Sequence, residues 1–202
     1  MNTFSPTEHI PTEGLLIRVV DDGKLLTLDF QVVTGIHQRA LWWGVAVGYR
    51  AMQVAAKALS QKTLWNRDNL VVVSGHPGPG VLDALNYVTR CADNGTITVM
   101  QNDNCVNRCN SEMKFEWWVS DGEQTAHVML REDFVPREFY ELIDRRVYSE
   151  TKEADDKLFE LYKVNLSARL WVGSLEENFS YELLPPLAKG QLPNHDWNKA
   201  AA

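Results

Sequence analysis

The sequence predicts an α+β domain in which a mixed or antiparallel sheet, built from hairpins, carries two buried helices and is followed by C-terminal helices. Two pairs of β-rich runs meet at Asp22-Gly23 and at Asp121-Gly122, which is typical of hairpin turns. Two apolar segments without internal breakers between the hairpins are typical of buried helices. Because the helices are inserted between hairpins, the order favours an α+β domain over a regular doubly wound sheet.

Composition indicates one compact domain, because 202 residues with 45% hydrophobic content can enclose a substantial core. Polar ends with scattered prolines predict an N-terminal arm over residues 1–14 and a C-terminal tail over residues 185–202, which leaves a domain over residues 15–184. The formal charge of -7 argues against a nucleic-acid partner. No apolar run approaches the ~20 residues that span a bilayer, and no secretion signal is visible, so we expect a cytoplasmic protein without a membrane partner.

The first half of the domain contains a hairpin, a long helix, a strand and a second helix. LLIRVVDDGKLLTLDFQVV predicts two strands, and QRALWWGVAVGYRAMQVAAKALSQ predicts a helix that is buried almost all round. In that helix Ala40, Gly44 and Gly48 recur every four residues and predict close packing against another backbone. LVVVS predicts a short buried strand, and the helix over VLDALNYVTRCA is expected to end near Asn94-Gly95.

The second half contains another strand, a hairpin and the C-terminal helices. TITVM predicts a strand, and KFEWWVSDGEQTAHVMLRE predicts the second hairpin, in which His127 is interpreted as a core histidine. The chain is expected to turn helical after Asp133, with Pro136 in a first turn. RLWVGSL predicts a last strand.

The corner VVVSGHPGPGVLDAL, residues 71–85, holds His76 between a strand and a helix. Two prolines fix backbone angles and three glycines permit a sharp reversal, so the imidazole is expected to have little rotational freedom. The amides of Gly80, Val81 and Leu82 start the helix, and such amides attract anions. The lysine and hydroxyl of a nucleotide P-loop are missing. The alternative interpretation is that His76 only caps a backbone group.

A second histidine stands in a similar place, because VVTGIHQRALWWG puts His37 just before the first helix. If the two helices pack along their small residues, His37 and His76 could converge on a divalent transition metal, with zinc favoured and iron or nickel as alternatives. Two imidazoles leave such a site incomplete. Asp83 is the nearer further candidate, although a helix N-terminal charge is its other interpretation. Cys91 lies two turns further on and is interpreted first as a small buried hydrophobe.

Further residues are candidates for a ligand pocket beside the histidines. Trp42 and Trp43 fill either the core, a contact between protomers or a cavity wall, and Arg50 either clamps an anionic ligand or satisfies a carbonyl. Homodimerisation is expected through the Trp-rich, close-packing elements, which include Trp117-Trp118. The candidate pocket residues are Asp83, Cys91, Trp42, Trp43, Arg50, Gly78 and Gly80.

Cys105 and Cys109 form a possible second metal or thiol site in the polar linker NDNCVNRCN. Their spacing could serve one metal, but a closed tetrahedral site needs a second pair of ligands. Ordinary reduced thiols are therefore the favoured interpretation of both cysteines.

The segments GIHQRALWWGVAVGYRA and SGHPGPGVLDALNYVTRCADNGTITV resemble the two signature regions of the FmdE-like family, whose members are similar to one component of molybdenum or tungsten formylmethanofuran dehydrogenase. Gly44, Gly48 and Arg50 match the family's glycine and arginine framework, Asp83 begins a matching Asp-Ala-Leu run, and Cys91 falls near a later family cysteine. The resemblance covers residues 15–135. It implies a metal- or metal-cofactor-binding protein that is accessory to one-carbon or redox metabolism, with a larger redox complex as a possible partner.

The departures from that family affect its metal chemistry. Trp42 and Trp43 occupy the expected Cys-Pro positions, Ala40 stands where a histidine is expected, and Gly80 stands where the second motif has a cysteine. The cysteine-rich zinc finger of many members has no counterpart after Cys109. The family's metal site therefore cannot be transferred intact.

Three functional hypotheses remain, and they leave open whether the chain is an enzyme. The first is binding of a metal or of a metal-containing small ligand at the two helix entries. The second is a hydrolase in which a metal held by His37 and His76 activates water while Asp83 accepts a proton. The third is a scaffold that has lost the family site and serves in assembly.

Overall fold

The computed structural model describes residues 12–36, 42–61, 63–100, 109–149 and 152–194. The helices in these ranges are α1 (Phe30–Ile36), α2 (Trp42–Leu59), α3 (Pro79–Thr89), α4 (Arg137–Tyr148), α5 (Glu153–Val172) and α6 (Leu175–Asn178). The strands are β1 (Leu16–Asp21), β2 (Lys24–Asp29), β3 (Val71–Ser74), β4 (Ile97–Val99), β5 (Glu116–Ser120), β6 (Thr125–Leu130) and β7 (Phe179–Leu184). Two 3-10 turns, Thr12–Leu15 and Arg67–Asn69, precede β1 and β3.

The strands form two sheets, and the predicted α+β class is confirmed. β1 and β2 make a separate antiparallel hairpin, whose turn uses the positive φ angles of Asp22 (48°) and Gly23 (73°). The main sheet has the order β4-β3-β5-β6-β7. β4 runs parallel to β3, and the other described neighbours are antiparallel, so the sheet is mixed. The second predicted hairpin, β5–β6, is also present.

The helix α2 lies in the centre of the molecule, which explains why its sequence is apolar almost all round. It packs against β6 and β7 and also against α3 and α5. A Cβ atom added to Gly48 would lie 3.0 Å from the Val81 carbonyl oxygen, and one added to Gly44 would lie 3.4 Å from the Val81 amide nitrogen. The predicted close approach is therefore made with α3, while Ala40 lies outside the described residues.

The second strand of the first hairpin is shorter than predicted, because α1 begins at Phe30. The side chain of Asp29 accepts a hydrogen bond from the Gln31 amide at 2.8 Å, which starts the helix. Phe30 and Val33 are buried on one side of α1, and Val32 is exposed on the other. This spacing of three residues fits a helix. The segment is therefore helical although its residues have a high β propensity.

The helix α3 ends earlier than predicted, at Thr89, because Arg90 adopts a left-handed conformation with a φ angle of 55°. The amide of Arg90 donates to the Asn86 carbonyl at 2.7 Å and closes the helix. The guanidinium of Arg90 reaches Asp21 on β1 at 2.9 Å. This tertiary contact accompanies a conformation that arginine rarely adopts.

The predicted last strand over RLWVGSL is wrong, since those residues end α5 and begin α6. The last strand is β7, which pairs with β6 along its whole length and was not predicted. Its alternating Phe179, Tyr181 and Leu183 were the available signal, because such alternation is typical of a half-buried strand. The helix reaches further than expected because Leu166 and Leu170 pack one turn apart in the core.

The start of the predicted loose tail is anchored to the sheet. The Thr125 hydroxyl donates to the Pro185 carbonyl at 3.0 Å, and the Leu187 amide donates to the hydroxyls of Ser120 and Thr125 at 3.1 Å. Residues 1–11 and 195–202 lie outside the described residues. Across the described ranges, no helix has both the length and the apolar composition that are needed to cross a membrane.

Asp21 joins the small hairpin to the rest of the molecule. It accepts hydrogen bonds from Arg67 at 2.6 Å and from Arg90 at 2.9 Å, and these bonds hold the pKa of Asp21 well below its usual range. We expect Asp21→Asn to lower the free energy of unfolding by about 1–2 kcal/mol, because the largely buried guanidinium group of Arg67 loses its charged partner and the more exposed one of Arg90 loses a hydrogen bond. Urea unfolding measures the change. Asp22→Asn is the control, since Asp22 is exposed and 3.7 Å from Arg90, and equal losses in both variants would refute the prediction.

Candidate functional site

The corner that carries His76 is fixed by hydrogen bonds on both of its sides. The Ser74 hydroxyl accepts from the His76 amide at 3.2 Å and donates to the His76 carbonyl at 2.9 Å. The Gly75 amide donates to the Glu116 carbonyl at 2.9 Å, and the Lys114 amide donates to the Gly75 carbonyl at 3.0 Å. The corner therefore continues the pairing of β3 with the chain that leads into β5, and its backbone has little freedom.

The imidazole of His76 is held by its own corner. Its Nδ1 atom accepts a hydrogen bond from the Gly78 amide at 3.0 Å, and its ring lies 4.6 Å from the ring of Phe115. A Cβ atom on Gly78 would come within 2.5 Å of the His76 Cε1 atom, so the ring occupies the space that glycine leaves. Only 4% of His76 is exposed, and burial lowers its pKa to about 3. The ring is therefore neutral near pH 7.

The hydrogen-bond network assigns the tautomer of His76. A neutral imidazole has one N–H group, and because Nδ1 accepts from Gly78, the proton belongs on Nε2. A histidine that binds a metal through Nε2 has its proton on Nδ1 and donates it to an acceptor. Here an amide donor faces Nδ1 instead. In this arrangement His76 offers a hydrogen-bond donor to its surroundings.

His76 lines a cavity of about 70 Å³ that is enclosed by α2, α3, α4 and α5, and we call it the His76 cavity. Gly78 and Gly80 line it at the start of α3, and its apolar wall includes Phe139, Ile143 and Phe159. The polar side chains that line it are those of Trp43, His76, Cys109 and Lys163. The structure thus brings Trp43, His76, Gly78 and Gly80 from the predicted pocket together at one place.

Two of these polar side chains are almost completely buried. Trp43 is 4% exposed, and its indole Nε1–H meets no hydrogen-bond acceptor within the described part of the chain. Lys163 is 5% exposed, and its ammonium group contacts the Glu160 carboxylate at 2.6 Å. Sequence reasoning missed Lys163, because it stands on α5, far from both motifs along the chain. An unmatched buried donor and a buried cation on residues that line the cavity make it the candidate functional site.

Cys109 lines the His76 cavity. Its Sγ atom would lie 3.2 Å from a Cβ atom on Gly78. Burial raises the pKa of the Cys109 thiol to about 11, so this side chain is a thiol and a weak donor near pH 7. Cys105 lies outside the described residues, and its pairing with Cys109 stays a prediction.

The predicted metal site is not assembled from the residues that the structure describes. His37 lies outside them, so its convergence with His76 stays a prediction. Across the described ranges, no group of three or more His, Cys, Asp or Glu side chains could hold a metal ion. Asp83 lies in α3 but does not line the His76 cavity.

Arg50 and Cys91 have structural roles, and neither of them lines the His76 cavity. Arg50 is buried, donates to the Gly173 carbonyl at 2.8 Å and lies over the Trp171 ring at 5.0 Å. Burial lowers the pKa of Arg50 to about 10. Of its two predicted roles, it takes the carbonyl-binding one, at the end of α5. Cys91 is fully buried in the core, where burial raises its pKa to about 11.

Three of the tryptophans on which the predicted dimerisation depends, Trp43, Trp117 and Trp118, are buried within the chain. Trp117 and Trp118 are 0% and 1% exposed, and Trp43 faces the His76 cavity. The side chain of Trp42 lies outside what the structure describes. The described tryptophans therefore do not support homodimerisation, which stays a prediction.

His127 is a buried histidine, as predicted, and it also joins two carboxylates. Its ring stacks on Trp118 at 4.3 Å, and its two nitrogens lie 3.0 Å from Glu116 and 3.0 Å from Glu182. The network links β5, β6 and β7. The cross-strand register that creates it could not be inferred from local sequence.

No family model matches the chain, and no curated protein matches its sequence. The resemblance to the FmdE-like family therefore stays a prediction. A function can therefore be inferred only from the geometry of the His76 cavity.

Proposed function

We propose that this chain binds a small-molecule ligand and that a carboxylate or phosphate group of the ligand occupies the His76 cavity. One observation carries the proposal: each polar side chain that lines the cavity is a hydrogen-bond donor. These donors are His76 Nε2–H, the Trp43 indole N–H, the Cys109 thiol and the Lys163 ammonium group. A set of donors matches the oxygen atoms of an anion, which only accept hydrogen bonds.

The electrostatics of the cavity also favour an anion. Lys163 supplies a formal positive charge, which the exposed Glu160 carboxylate offsets in part through their ion pair. The helix α3 begins beside the cavity, and the amides of Gly80 and Val81 have no carbonyl one turn back within the helix. The Leu82 amide, by contrast, already donates to the Gly78 carbonyl at 3.0 Å. The helix entry therefore adds a partial positive charge to that of Lys163.

The size of the cavity limits what it can hold. One water needs about 10–15 Å³ of such space, so 70 Å³ accommodates roughly five water-sized atoms. A carboxylate or a phosphate group fits this space. A ligand oxygen that accepts from Trp43 would also remove the cost of leaving a buried N–H group without a partner, about 1–3 kcal/mol.

Binding of zinc, iron or nickel would require the other tautomer of His76. The ring would have to give up the Gly78 hydrogen bond and place its proton on Nδ1 before Nε2 could bind a cation. The nearby ammonium group of Lys163 would also repel that cation. The metal-dependent hydrolase requires the same metal, and the assembly scaffold requires no ligand at all. Anion binding, metal binding with or without hydrolysis, and the ligand-free scaffold therefore predict different outcomes in one binding experiment.

Calorimetric titration of the full chain with sodium acetate, sodium phosphate and zinc chloride tests the proposal. We expect acetate or phosphate to bind with a stoichiometry of one, and the preferred anion distinguishes a carboxylate from a phosphate ligand. His76→Asn and Lys163→Met should each weaken binding about tenfold or more, because each removes a buried donor. His76→Asn retains an acceptor for the Gly78 amide, since asparagine forms the same turn with the amide two residues on.

Arg137→Met is the matched control for Lys163→Met. It removes one positive charge from a side chain that is 89% exposed on the surface of α4, and we expect it to leave anion binding unchanged. Stoichiometric zinc binding that is lost in His76→Asn would overturn the proposal in favour of the metal site. Absence of binding by all three probes would overturn it in favour of a scaffold.

A further inference from the structure

A second and larger cavity lies directly beside the His76 cavity. It has a volume of about 430 Å³ and lies where β5 begins, β6 ends and the chain enters α4. This volume falls in the range of about 300–1,000 Å³ that small-molecule pockets occupy. We call it the outer cavity. Its apolar wall consists of Met113, Phe115, Met129, Leu130, Val135 and Tyr140.

The two cavities are separated by a thin partition. Met113 lines both of them, and it is 6% exposed. Phe115 lines the outer cavity, and its ring lies 4.6 Å from the ring of His76. Helix α4 contributes Phe139 to one cavity and Tyr140 to the other. Because methionine is unbranched and has three rotatable side-chain bonds, Met113 can open this partition without a backbone movement.

The outer cavity is suited to an apolar group, in particular to an aromatic ring. The charged residues that line it are Lys114, Arg131, Glu116 and Glu132, so its formal charges sum to zero and favour neither an anion nor a cation. The ring centroids of Phe115 and Tyr140 lie 6.3 Å apart, and their ring planes meet at 72°. Aromatic rings favour such edge-to-face contacts, so a ligand ring can pack against this pair in the same way. Two methionine sulfurs add favourable contacts with an aromatic ring.

From this juxtaposition we propose that the ligand is an aromatic acid, with its oxyanion in the His76 cavity and its ring in the outer cavity beyond Met113. The inference rests on the proposed function, because it assigns the second half of the same ligand. Met113 is then a specificity-determining residue, and the length between the acid group and the ring decides which ligands span the partition.

Acetate and phenylacetate form a matched pair of probes, since they differ by one phenyl ring. In calorimetric titrations of the full chain, we expect phenylacetate to bind at least about tenfold more tightly than acetate, because the ring buries apolar surface in the outer cavity. Met129→Trp fills that cavity from β6 and should abolish the advantage of phenylacetate while acetate binding is retained. Val135→Phe fills it from the other side and should have the same effect.

Leu25→Trp is the control, because it adds an indole at an exposed position on the separate β1–β2 sheet. It should leave both affinities unchanged. Equal binding of the two probes by the unaltered protein, or an advantage of phenylacetate that survives both cavity-filling changes, would overturn the aromatic-acid inference and leave the anion site intact. Failure of acetate and phosphate to bind, or phenylacetate binding that His76→Asn does not weaken, would instead overturn the proposed function.

Discussion

Gly48→Leu is expected to lower the free energy of unfolding by about 3 kcal/mol or more, because it forces α2 and α3 apart. The Cβ atom alone would lie 3.0 Å from the Val81 carbonyl oxygen and 3.1 Å from the Ala84 Cβ atom. These neighbours belong to the backbone and first side-chain atoms of α3, which cannot rotate away. The remaining leucine atoms would have to enter a core in which Val81 and Ala84 are fully buried.

Urea unfolding of Gly48→Leu and Gly35→Leu measures this effect with a matched control. Gly35 is an exposed residue of α1, and a Cβ atom there meets nothing within 4 Å. We expect Gly35→Leu to be neutral or to stabilise by up to about 1 kcal/mol, since leucine favours a helix more than glycine does. Comparable stabilities of the two variants would show that α2 and α3 do not need their close approach. A further consequence is that Gly48→Leu should weaken acetate binding, because α3 carries the His76 corner.

The second large effect is an acid sensitivity that His76 gives to the fold. The folded ring remains neutral down to a pH of about 3, because burial lowers the pKa of His76 to about 3, while an unfolded histidine takes up a proton near pH 6.5. Between these two values the unfolded state binds more protons than the folded state. Stability must therefore fall as the pH falls from about 6.5 towards 3, by up to about 1.4 kcal/mol for each pH unit. Above pH 6.5 the contribution of His76 is constant.

His76→Asn removes this titration while it retains an acceptor for the Gly78 amide. Urea unfolding at a series of pH values between 4 and 7.5 measures the two stabilities, and ordinary carboxylates titrate in both proteins, so the difference between the curves isolates His76. We expect the variant to lose less stability than the unaltered protein on acidification. Parallel curves would mean that the imidazole of His76 is not enclosed as the corner requires.

Local chemistry explains which parts of the fold could be predicted from the sequence. The turns at Asp22-Gly23 and Asp121-Gly122 require positive φ angles, which glycine adopts readily, and the structure has Gly23 at 73° and Gly122 at 90°. Gly44 and Gly48 indicated a close packing partner for α2, because small residues at a helical spacing leave room for another backbone. The alternative in which His76 caps a backbone group was also available from its corner, since the accepting amide is only two residues away.

Elements and roles that depend on distant partners could not be predicted in the same way. The run at Phe30 has β propensity, yet it became a helix because Asp29 caps it and Phe30 and Val33 reach the core. Arg50 was compatible with an anion or a carbonyl, and only the position of α5 selected the carbonyl of Gly173. Lys163 carried no local signal at all, because nothing in its own segment reports that α5 passes beside the start of α3.

The sequence by itself determined the α+β class, the two hairpins, the close approach of two helices and a rigid corner for His76. The tertiary structure decided which side chains surround that corner, because Trp43, Cys109 and Lys163 come from three separate segments and meet only when the helices pack. It also decided the tautomer of His76, since the orientation of the ring sets which nitrogen meets the Gly78 amide. Turns and helices are specified by a few neighbouring residues. The charge and the shape of a cavity, in contrast, depend on side chains that only the fold brings together.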